Sequence, residues 1–156
     1  MLKAIVLLIS LFLFNTANAQ ITQFTNSFDG AKIITSYSYN KDLRLPRVCV
    51  FKKYNSEYFL YMNNANKISK LATNLEPYRF KIDDTVYSVN ANTFDLSVKK
   101  ILSIPLSPSI IAHLSKASKV SIQIPIENDS DLFVEYLVVD IPQNNIEEWQ
   151  QVIDMK

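Results

Sequence analysis

Residues 101–126, ILSIPLSPSIIAHLSKASKVSIQIPI, constrain the fold most strongly, because their apolar residues change period within the segment. Ser107 and Pro108 form a helix-start pair: serine caps free backbone N–H groups, and proline loses no hydrogen bond in the first turn. The apolar residues that follow have helical spacing: Ile110, Ile111, Leu114 and Ala117. From residue 120 to 126 the apolar residues alternate, which indicates a strand with one buried face. The segment therefore predicts a strand end, a capped helix and a second strand, with Pro125 at an edge or a bulge.

The residues after this segment predict one more strand and a last helix. Residues 132–141, LFVEYLVVDI, form the most apolar late segment. We expect this strand to pair antiparallel with residues 120–126 and to lie centrally in its sheet. Asn144 or Asn145 can cap the helix, with Glu147 or Glu148 completing a capping box. The apolar face of the helix carries Ile146, Trp149, Val152 and Ile153, with Trp149 as its core anchor.

This late order of strand, capped helix, strand, strand and helix resembles the small periplasmic proteins of the invasion-associated locus B type. The resemblance covers SIPLSPSIIAHLSKASKVSIQIPI and the residues that follow it. It lies in the pattern of apolar positions, so it carries over no site residue. It implies a β-rich periplasmic protein.

The earlier half of the chain predicts more antiparallel strands. Alternation or apolar runs mark strands at 32–39, 47–53, 57–62, 78–82, 85–89 and 94–104, and residues 68–75 have helical spacing. Because Gly30 is the single glycine, the turns depend on Asn and Asp, which tolerate positive φ. The fold class that follows is α+β, mainly antiparallel β. It is a sandwich or a half-open barrel with two or three short helices, two of them in the C-terminal third.

The first 19 residues predict export. Lys3 is followed by an apolar core of about 11 residues and by the small-x-small end Ala17-Asn18-Ala19, as in a secretory signal peptide. The alternative, an uncleaved membrane anchor, requires about 20 apolar residues to span the bilayer. We therefore expect residues 20–156 to form a single β-rich globular domain. It would be secreted or periplasmic and have no membrane span after cleavage.

Cysteine, histidine and carboxylate content limits the chemistry that the chain can support. One cysteine, Cys49, forms no internal disulfide, and a disulfide-linked dimer through it is an alternative. One histidine, His113, and one cysteine are too few for a usual transition-metal site, so we expect no metal, cofactor or catalytic residue. Glu135 and Asp140 lie in an apolar segment and are the acids expected to be partly buried. A carboxylate-dependent hydrolase is the enzymatic alternative.

Basic and aromatic residues interleave around residues 37–58 and give the candidate binding surface. The residues chosen are Arg44, Arg47, Lys52, Tyr54 and Tyr58. Such interleaving suits nucleic acid or an acidic protein surface, and export argues against nucleic acid. The sequence therefore predicts a non-enzymatic binding protein with an envelope or extracellular protein as its partner. A small-ligand carrier with an aromatic-lined pocket is the alternative.

Overall fold

The computed structural model describes residues 20–39, 48–63, 77–96, 99–127 and 134–156. Within these ranges ten strands and two helices follow one another along the chain. They are β1 (Gln20–Thr25), β2 (Lys32–Tyr39), β3 (Val48–Tyr54), β4 (Glu57–Asn63), β5 (Tyr78–Ile82), β6 (Thr85–Val89), β7 (Asn92–Leu96), β8 (Lys99–Leu106), α1 (Pro108–Leu114), β9 (Val120–Glu127), β10 (Val134–Asp140) and α2 (Gln143–Asp154). The helix predicted at residues 68–75 and the signal peptide lie outside the described ranges.

The described strands form two antiparallel sheets, which confirms the predicted fold class. One sheet has six strands in the order β1-β2-β3-β4-β8-β7, and the other has four in the order β10-β9-β5-β6. The buried residues of both sheets and both helices make one apolar core. In the described ranges neither helix has the length and hydropathy that a bilayer crossing requires.

Asparagine and aspartate make the tight turns, as the scarcity of glycine predicts. Asn55 has a φ of 51° between β3 and β4, and Asp83 has a φ of 49° between β5 and β6. Both residues follow directly on the last paired residue of a strand, so the chain reverses through two residues. Gly30, at φ 71°, takes the same left-handed conformation between β1 and β2.

Three predictions about the strands and helix caps differ from the structure. Residues 94–104 do not form one strand, because Leu96 pairs with Lys99 and the chain reverses between β7 and β8. The last helix starts after Pro142 with no side-chain cap, and Asn145 is buried and bonded elsewhere. The strand at residues 132–141 pairs with β9 as expected, but β10 lies at an edge of the described four-stranded sheet rather than centrally.

The strand–helix–strand segment forms as predicted. The Ser107 hydroxyl accepts a hydrogen bond from the Ile110 amide at 3.4 Å, and Pro108 is the first helical residue. Helix α1 then buries Ile110, Ile111 and Leu114. Pairing of β5 with β9 ends at Gln123, so the missing N–H of Pro125 falls beyond the end of that ladder.

Helix α2 packs on one face of the six-stranded sheet, which we call the inner face. This face carries Cys49, Phe51 and Lys53 of β3, and the Trp149 ring stacks on Phe51. Ile146, Trp149 and Val152 are buried there, which confirms Trp149 as the anchor of the helix. The opposite, outer face carries the alternate residues of the same strands.

Candidate functional site

The structure separates the candidate binding residues onto two faces of the six-stranded sheet. Arg44 and Arg47 lie outside the described residues. Lys52 and Tyr54 alternate with the buried Phe51 and therefore lie on the outer face. Tyr58 is directly opposite Lys53 in the β3–β4 ladder, so it lies on the inner face. The three described candidates therefore do not form one surface.

Lys52 and Tyr54 form a small cluster on the outer face with Asp29. The Lys52 ammonium lies 5.5 Å from the centre of the Tyr54 ring, within the range of a cation–π contact. The Tyr54 hydroxyl donates a hydrogen bond to the Asp29 carboxylate. This hydrogen bond lowers the pKa of Asp29 and raises the pKa of Tyr54. The tyrosine is therefore held as a neutral donor to an ionised carboxylate.

Tyr58 stands beside the C-terminal end of α2 on the inner face. The Lys53 ammonium lies 5.4 Å from the centre of the Tyr58 ring. The same ammonium donates hydrogen bonds to the carbonyl oxygens of Ile153, at 3.3 Å, and of Met155, at 2.5 Å. Lys53 thus satisfies carbonyl groups that the helix end leaves without intrahelical partners. The sequence places Lys53 in the basic stretch around residues 37–58, but it does not predict the contact of this lysine with the end of α2.

A cleft of about 640 Å³ opens where β4, β8, α1 and the end of α2 meet. Its described walls are mainly apolar: Tyr58 and Phe59 come from β4, Leu106 from β8, Ile111 from α1 and Ile153 from α2. Volumes of about 300–1,000 Å³ with apolar walls and a few polar groups are typical of small-ligand sites. We call this concavity the cleft, and it is the candidate functional site.

Three polar residues also line the cleft. Ser56 and Glu57 belong to the β3–β4 turn and the start of β4, and Ser115 follows α1. Glu57 is exposed, and it is the one charged residue among the described lining residues. A cleft with one described carboxylate does not bring together the pair of acids that glycoside hydrolysis uses.

The other residues weighed for chemistry lie apart from the cleft. Cys49 is buried on the inner face, and burial raises the pKa of its thiol to about 12. A disulfide between two copies through Cys49 would therefore require the core to open. Asp140 is exposed, contrary to the prediction, and accepts a hydrogen bond from the Ser121 hydroxyl at 2.5 Å. The part of the chain that the structure describes has no group of three metal-ligating side chains.

His113 is exposed on α1, next to Tyr87 of β6. Its Nδ1 lies 2.6 Å from the Tyr87 hydroxyl oxygen and 2.9 Å from the Ser109 carbonyl oxygen. Cys49 and His113 thus occupy different environments, one in the core and one at the surface. The pair has no common site in which a nucleophile and a base could act together.

Sequence reasoning found Tyr58 but missed the cleft. Its walls come from segments as far apart as Glu57 and Ile153, and the sequence pattern does not reveal their proximity. Alternation predicted which strand residues face the core. It gave no sign that the ends of β4 and β8 and helix α1 would leave a concave space. The only local signal was the pair of aromatic residues Tyr58-Phe59.

The fold and the cleft define an α+β protein of two antiparallel sheets with an apolar concavity. No protein-family model matches the chain, and no curated protein matches it. Among solved structures, invasion associated protein B from Bartonella henselae is similar, with a TM-score of 0.53 and 13% sequence identity. The match covers 86% of this chain and 92% of that chain. At this identity the likeness concerns the fold alone.

Proposed function

We propose that this protein is an exported, non-enzymatic binding protein and that the cleft holds its ligand. The observation that carries the proposal is the cleft itself. Its volume of about 640 Å³ lies within the range of small-ligand sites, and its described walls are apolar with few polar groups. Export rests on the signal-peptide pattern of residues 1–19. The cleft favours a small ligand over the predicted basic and aromatic surface.

The walls of the cleft belong to parts of the fold that are held in place. Leu106 and Ile111 are buried, and Tyr58 contacts Phe51 at 6.0 Å between ring centroids. Ile153 is held through its carbonyl oxygen by Lys53. A site whose walls are fixed before binding loses little conformational entropy when the ligand enters. This favours binding by a preformed site.

Filling the cleft tests the proposal. Ala112 is exposed on α1 and lines the cleft, so Ala112→Phe places a ring inside it without removing a core side chain. The control is Gln151→Phe, which adds the same ring to an exposed position of α2 that is not among the residues lining the cleft. The probe is 8-anilinonaphthalene-1-sulfonate, whose fluorescence rises on binding to apolar sites.

We expect wild-type protein and Gln151→Phe to enhance the probe fluorescence equally and Ala112→Phe to lose at least about 80% of the enhancement. Native mass spectrometry of freshly purified protein should show a bound small molecule in the first two and not in the third. Equal enhancement by all three proteins would show that the probe binds elsewhere and would overturn the assignment of the cleft.

The outer face supports a second candidate function, the binding of a partner protein. Tyr37 is 46% exposed and Phe24 is 53% exposed on this face, near Lys52 and Tyr54. Aromatic and basic side chains are enriched in protein interfaces. A pull-down from envelope extract compares wild type with Lys52→Ala/Tyr54→Ala. If the wild type recovers a specific partner protein and the double variant does not, the outer face is a binding surface. If both proteins recover the same partners equally, the outer face does not bind them.

A further inference from the structure

Two tyrosines and a valine form a row across the outer face of the six-stranded sheet. Tyr37 of β2 is directly opposite Val50 of β3, and Val50 is directly opposite Tyr61 of β4. Residues that pair in this way have their side chains on the same face, and none of the three lines the cleft. We call these three residues the tyrosine row, and we propose that it binds a β-1,4-linked glycan chain. This site is independent of the proposed ligand site in the cleft.

The spacing of the two tyrosines carries the proposal. Neighbouring strands are about 4.8 Å apart, so Tyr37 and Tyr61, which are separated by one strand, stand about 10 Å apart along the row. Successive sugars of a β-1,4-linked chain face opposite ways, so the same sugar face recurs at every second sugar. The length of this two-sugar repeat is close to the spacing of the two tyrosines. The two rings can therefore stack on two equivalent sugars of one straight chain that crosses the strands.

Both tyrosine rings have accessible surface for a sugar. Tyr37 is 46% exposed, and Tyr61 is partly exposed. Phe59 extends the aromatic surface beside Tyr61, with ring centroids 6.1 Å apart and 30° between the ring planes. The face of an aromatic ring carries negative partial charge, and the C–H groups of a pyranose ring carry positive partial charge. A sugar can therefore stack on these rings without any ion pair.

Uncharged polar groups border the tyrosine row on the side of β1. Gln20 is exposed and lies directly opposite Tyr37. Thr22 and Thr35 form the next pair of the same ladder on the same face, and their hydroxyl oxygens lie 2.6 Å apart. Amide and hydroxyl groups both donate and accept hydrogen bonds, as sugar hydroxyl groups do. This border can therefore hydrogen-bond the edge of a sugar whose face lies on Tyr37.

Charged side chains of the outer face are grouped around Tyr54, at the hairpin end of β3. The Lys52 ammonium contacts the Tyr54 ring, and the Asp29 carboxylate accepts a hydrogen bond from the Tyr54 hydroxyl. Glu57 pairs with Tyr54 in the β3–β4 ladder. The tyrosine row lies two residues or more away along each strand from this charged end. This arrangement favours an uncharged polymer at the row over a charged one.

Three hexasaccharides test the ligand class by isothermal titration calorimetry. Cellohexaose and N-acetylchitohexaose are straight β-1,4-linked chains of glucose and of N-acetylglucosamine, and maltohexaose is a curved α-1,4-linked chain of glucose. We expect the wild type to bind a β-1,4-linked probe at least about fivefold more tightly than maltohexaose, the effect of one more aromatic contact. The comparison of the two β-1,4-linked probes shows which sugar the row prefers.

Variants of the tyrosine row test its part in binding. We expect Tyr37→Ala and Tyr61→Ala each to weaken binding of the β-1,4-linked probe about fivefold, and the double variant at least about tenfold. Tyr37→Phe keeps the ring and should keep most of the affinity. Tyr136→Ala is the matched control, because it removes a tyrosine that is 36% exposed on the four-stranded sheet, and it should bind as the wild type does. Far-UV circular dichroism confirms that the variants fold.

The remaining outcomes separate the tyrosine row from the cleft and from a protein surface. Equal affinity for all three probes, or equal weakening by Tyr136→Ala and Tyr37→Ala, would overturn the proposal. Glycan binding that Ala112→Phe abolishes would place the glycan in the cleft, and it would overturn the tyrosine row while keeping the cleft as a ligand site. Absence of binding by every probe would also overturn the glycan class. If the Tyr37→Ala/Tyr61→Ala variant then lost a partner protein from envelope extract, the row would be a protein-binding surface instead.

Discussion

The indole ring of Trp149 stacks on the ring of Phe51, with ring centroids 5.3 Å apart and an angle of 14° between the planes. Phe51 is at the middle of β3 and Trp149 is at the middle of α2, so this contact joins the helix to the inner face of the sheet. Both side chains are almost completely buried. The pair is the centre of the contact between helix and sheet.

Trp149→Ala should therefore destabilise the fold strongly. Truncation of a buried tryptophan removes its apolar burial and leaves a cavity, which together cost about 3–5 kcal/mol. Trp149→Phe should cost less, because it keeps a ring against Phe51 and removes an indole N–H that has no hydrogen-bond partner in the described structure. Urea denaturation followed by circular dichroism measures both values. Equal losses for the two variants would contradict the role of the stacked ring.

A buried polar contact sets where α2 sits along the sheet. The Asn145 side-chain amide donates a hydrogen bond to the Ser38 hydroxyl at 3.0 Å, and that hydroxyl donates to the Cys49 carbonyl oxygen at 3.3 Å. One turn further along the helix, the Ser36 hydroxyl donates to the Glu148 carboxylate at 3.3 Å. Because Asn145 and Ser38 are buried, loss of either partner leaves the other poorly satisfied.

A double-mutant cycle tests the Asn145–Ser38 contact. We expect Asn145→Ala and Ser38→Ala each to lower the free energy of unfolding by about 1–3 kcal/mol, the cost of leaving a buried polar group unsatisfied. The double variant should lose clearly less than the sum of the two single losses, with an interaction energy of at least about 0.5 kcal/mol. Strictly additive losses would show that the two side chains do not interact energetically.

Lys53 and Lys52 are neighbours on β3, and their replacement should lower the free energy of unfolding by different amounts. Lys53→Met keeps most of the apolar stem but removes the ammonium that binds the Ile153 and Met155 carbonyl oxygens. We expect Lys53→Met to lower the free energy of unfolding by about 1–3 kcal/mol, which is typical for the loss of hydrogen bonds to a charged group. Lys52→Met removes only a surface contact with the Tyr54 ring, so its loss should be below about 1 kcal/mol.

Hydrogen exchange locates the effect of Lys53. The amides of the last turn of α2 should exchange faster in Lys53→Met than in the wild type, because the helix end frays once its carbonyl oxygens lose their partner. Lys52→Met should show wild-type exchange there. If both variants lost the same stability and exchanged alike, the contact between Lys53 and the helix end would carry no free energy.

Cys49 and Tyr78 make the folded protein sensitive to alkaline pH. Burial raises the pKa of Cys49 from 9.0 to about 12 and that of Tyr78 from 10.0 to about 12. At a pH between the ordinary pKa and the raised pKa, each group has lost its proton in the unfolded chain and still holds it in the folded protein. The free energy of unfolding therefore falls as pH rises. The contribution of the two groups to the free energy of unfolding is fully present below pH 9 and is lost by about pH 12. The free energy of unfolding should fall by up to about 1.4 kcal/mol per pH unit for each group.

Denaturation curves between pH 7 and 12 check this dependence. In Cys49→Ala the free energy of unfolding should fall less steeply from about pH 9 upward. In Tyr78→Phe it should fall less steeply above about pH 10. The Tyr78 hydroxyl has no hydrogen-bond partner in the described structure. We therefore expect Tyr78→Phe to change stability at neutral pH by less than about 1 kcal/mol. An unchanged alkaline slope in both variants would show that neither group titrates differently on folding.

The fold was largely predictable because local patterns determine its elements. The turn signal Asp83-Asp84 between two alternating segments predicted the observed bounds of β5 and β6. The pair Ser107-Pro108 predicted the observed start of α1. Both predictions needed only turn and capping chemistry within a few residues. The predicted β-rich fold agrees with the fold of a solved structure at 13% identity.

The predictions that failed depended on long-range neighbours. The apolar composition of β10 suggested a central strand, but composition reports which faces are buried and not which strands lie alongside. Asn145 looked like a helix cap, and its actual partner, Ser38, is 107 residues away. The candidate binding residues were predicted to form one surface because they are close to one another in the sequence. Alternation along β3 and β4 then separated Lys52 and Tyr54 from Tyr58.

The pairing of β4 with β8 has a consequence for how the chain reaches this structure. Tyr58 lies opposite Leu106, and Phe80 lies opposite Ile122, so each sheet is completed by strands more than 40 residues apart. Closing such loops costs chain entropy before any contact compensates for it, and folds dominated by such pairings form in about milliseconds to seconds. The hairpins β3–β4 and β5–β6 can form early. The cleft exists only once β4, β8 and both helices have come together, because each of them supplies part of its walls.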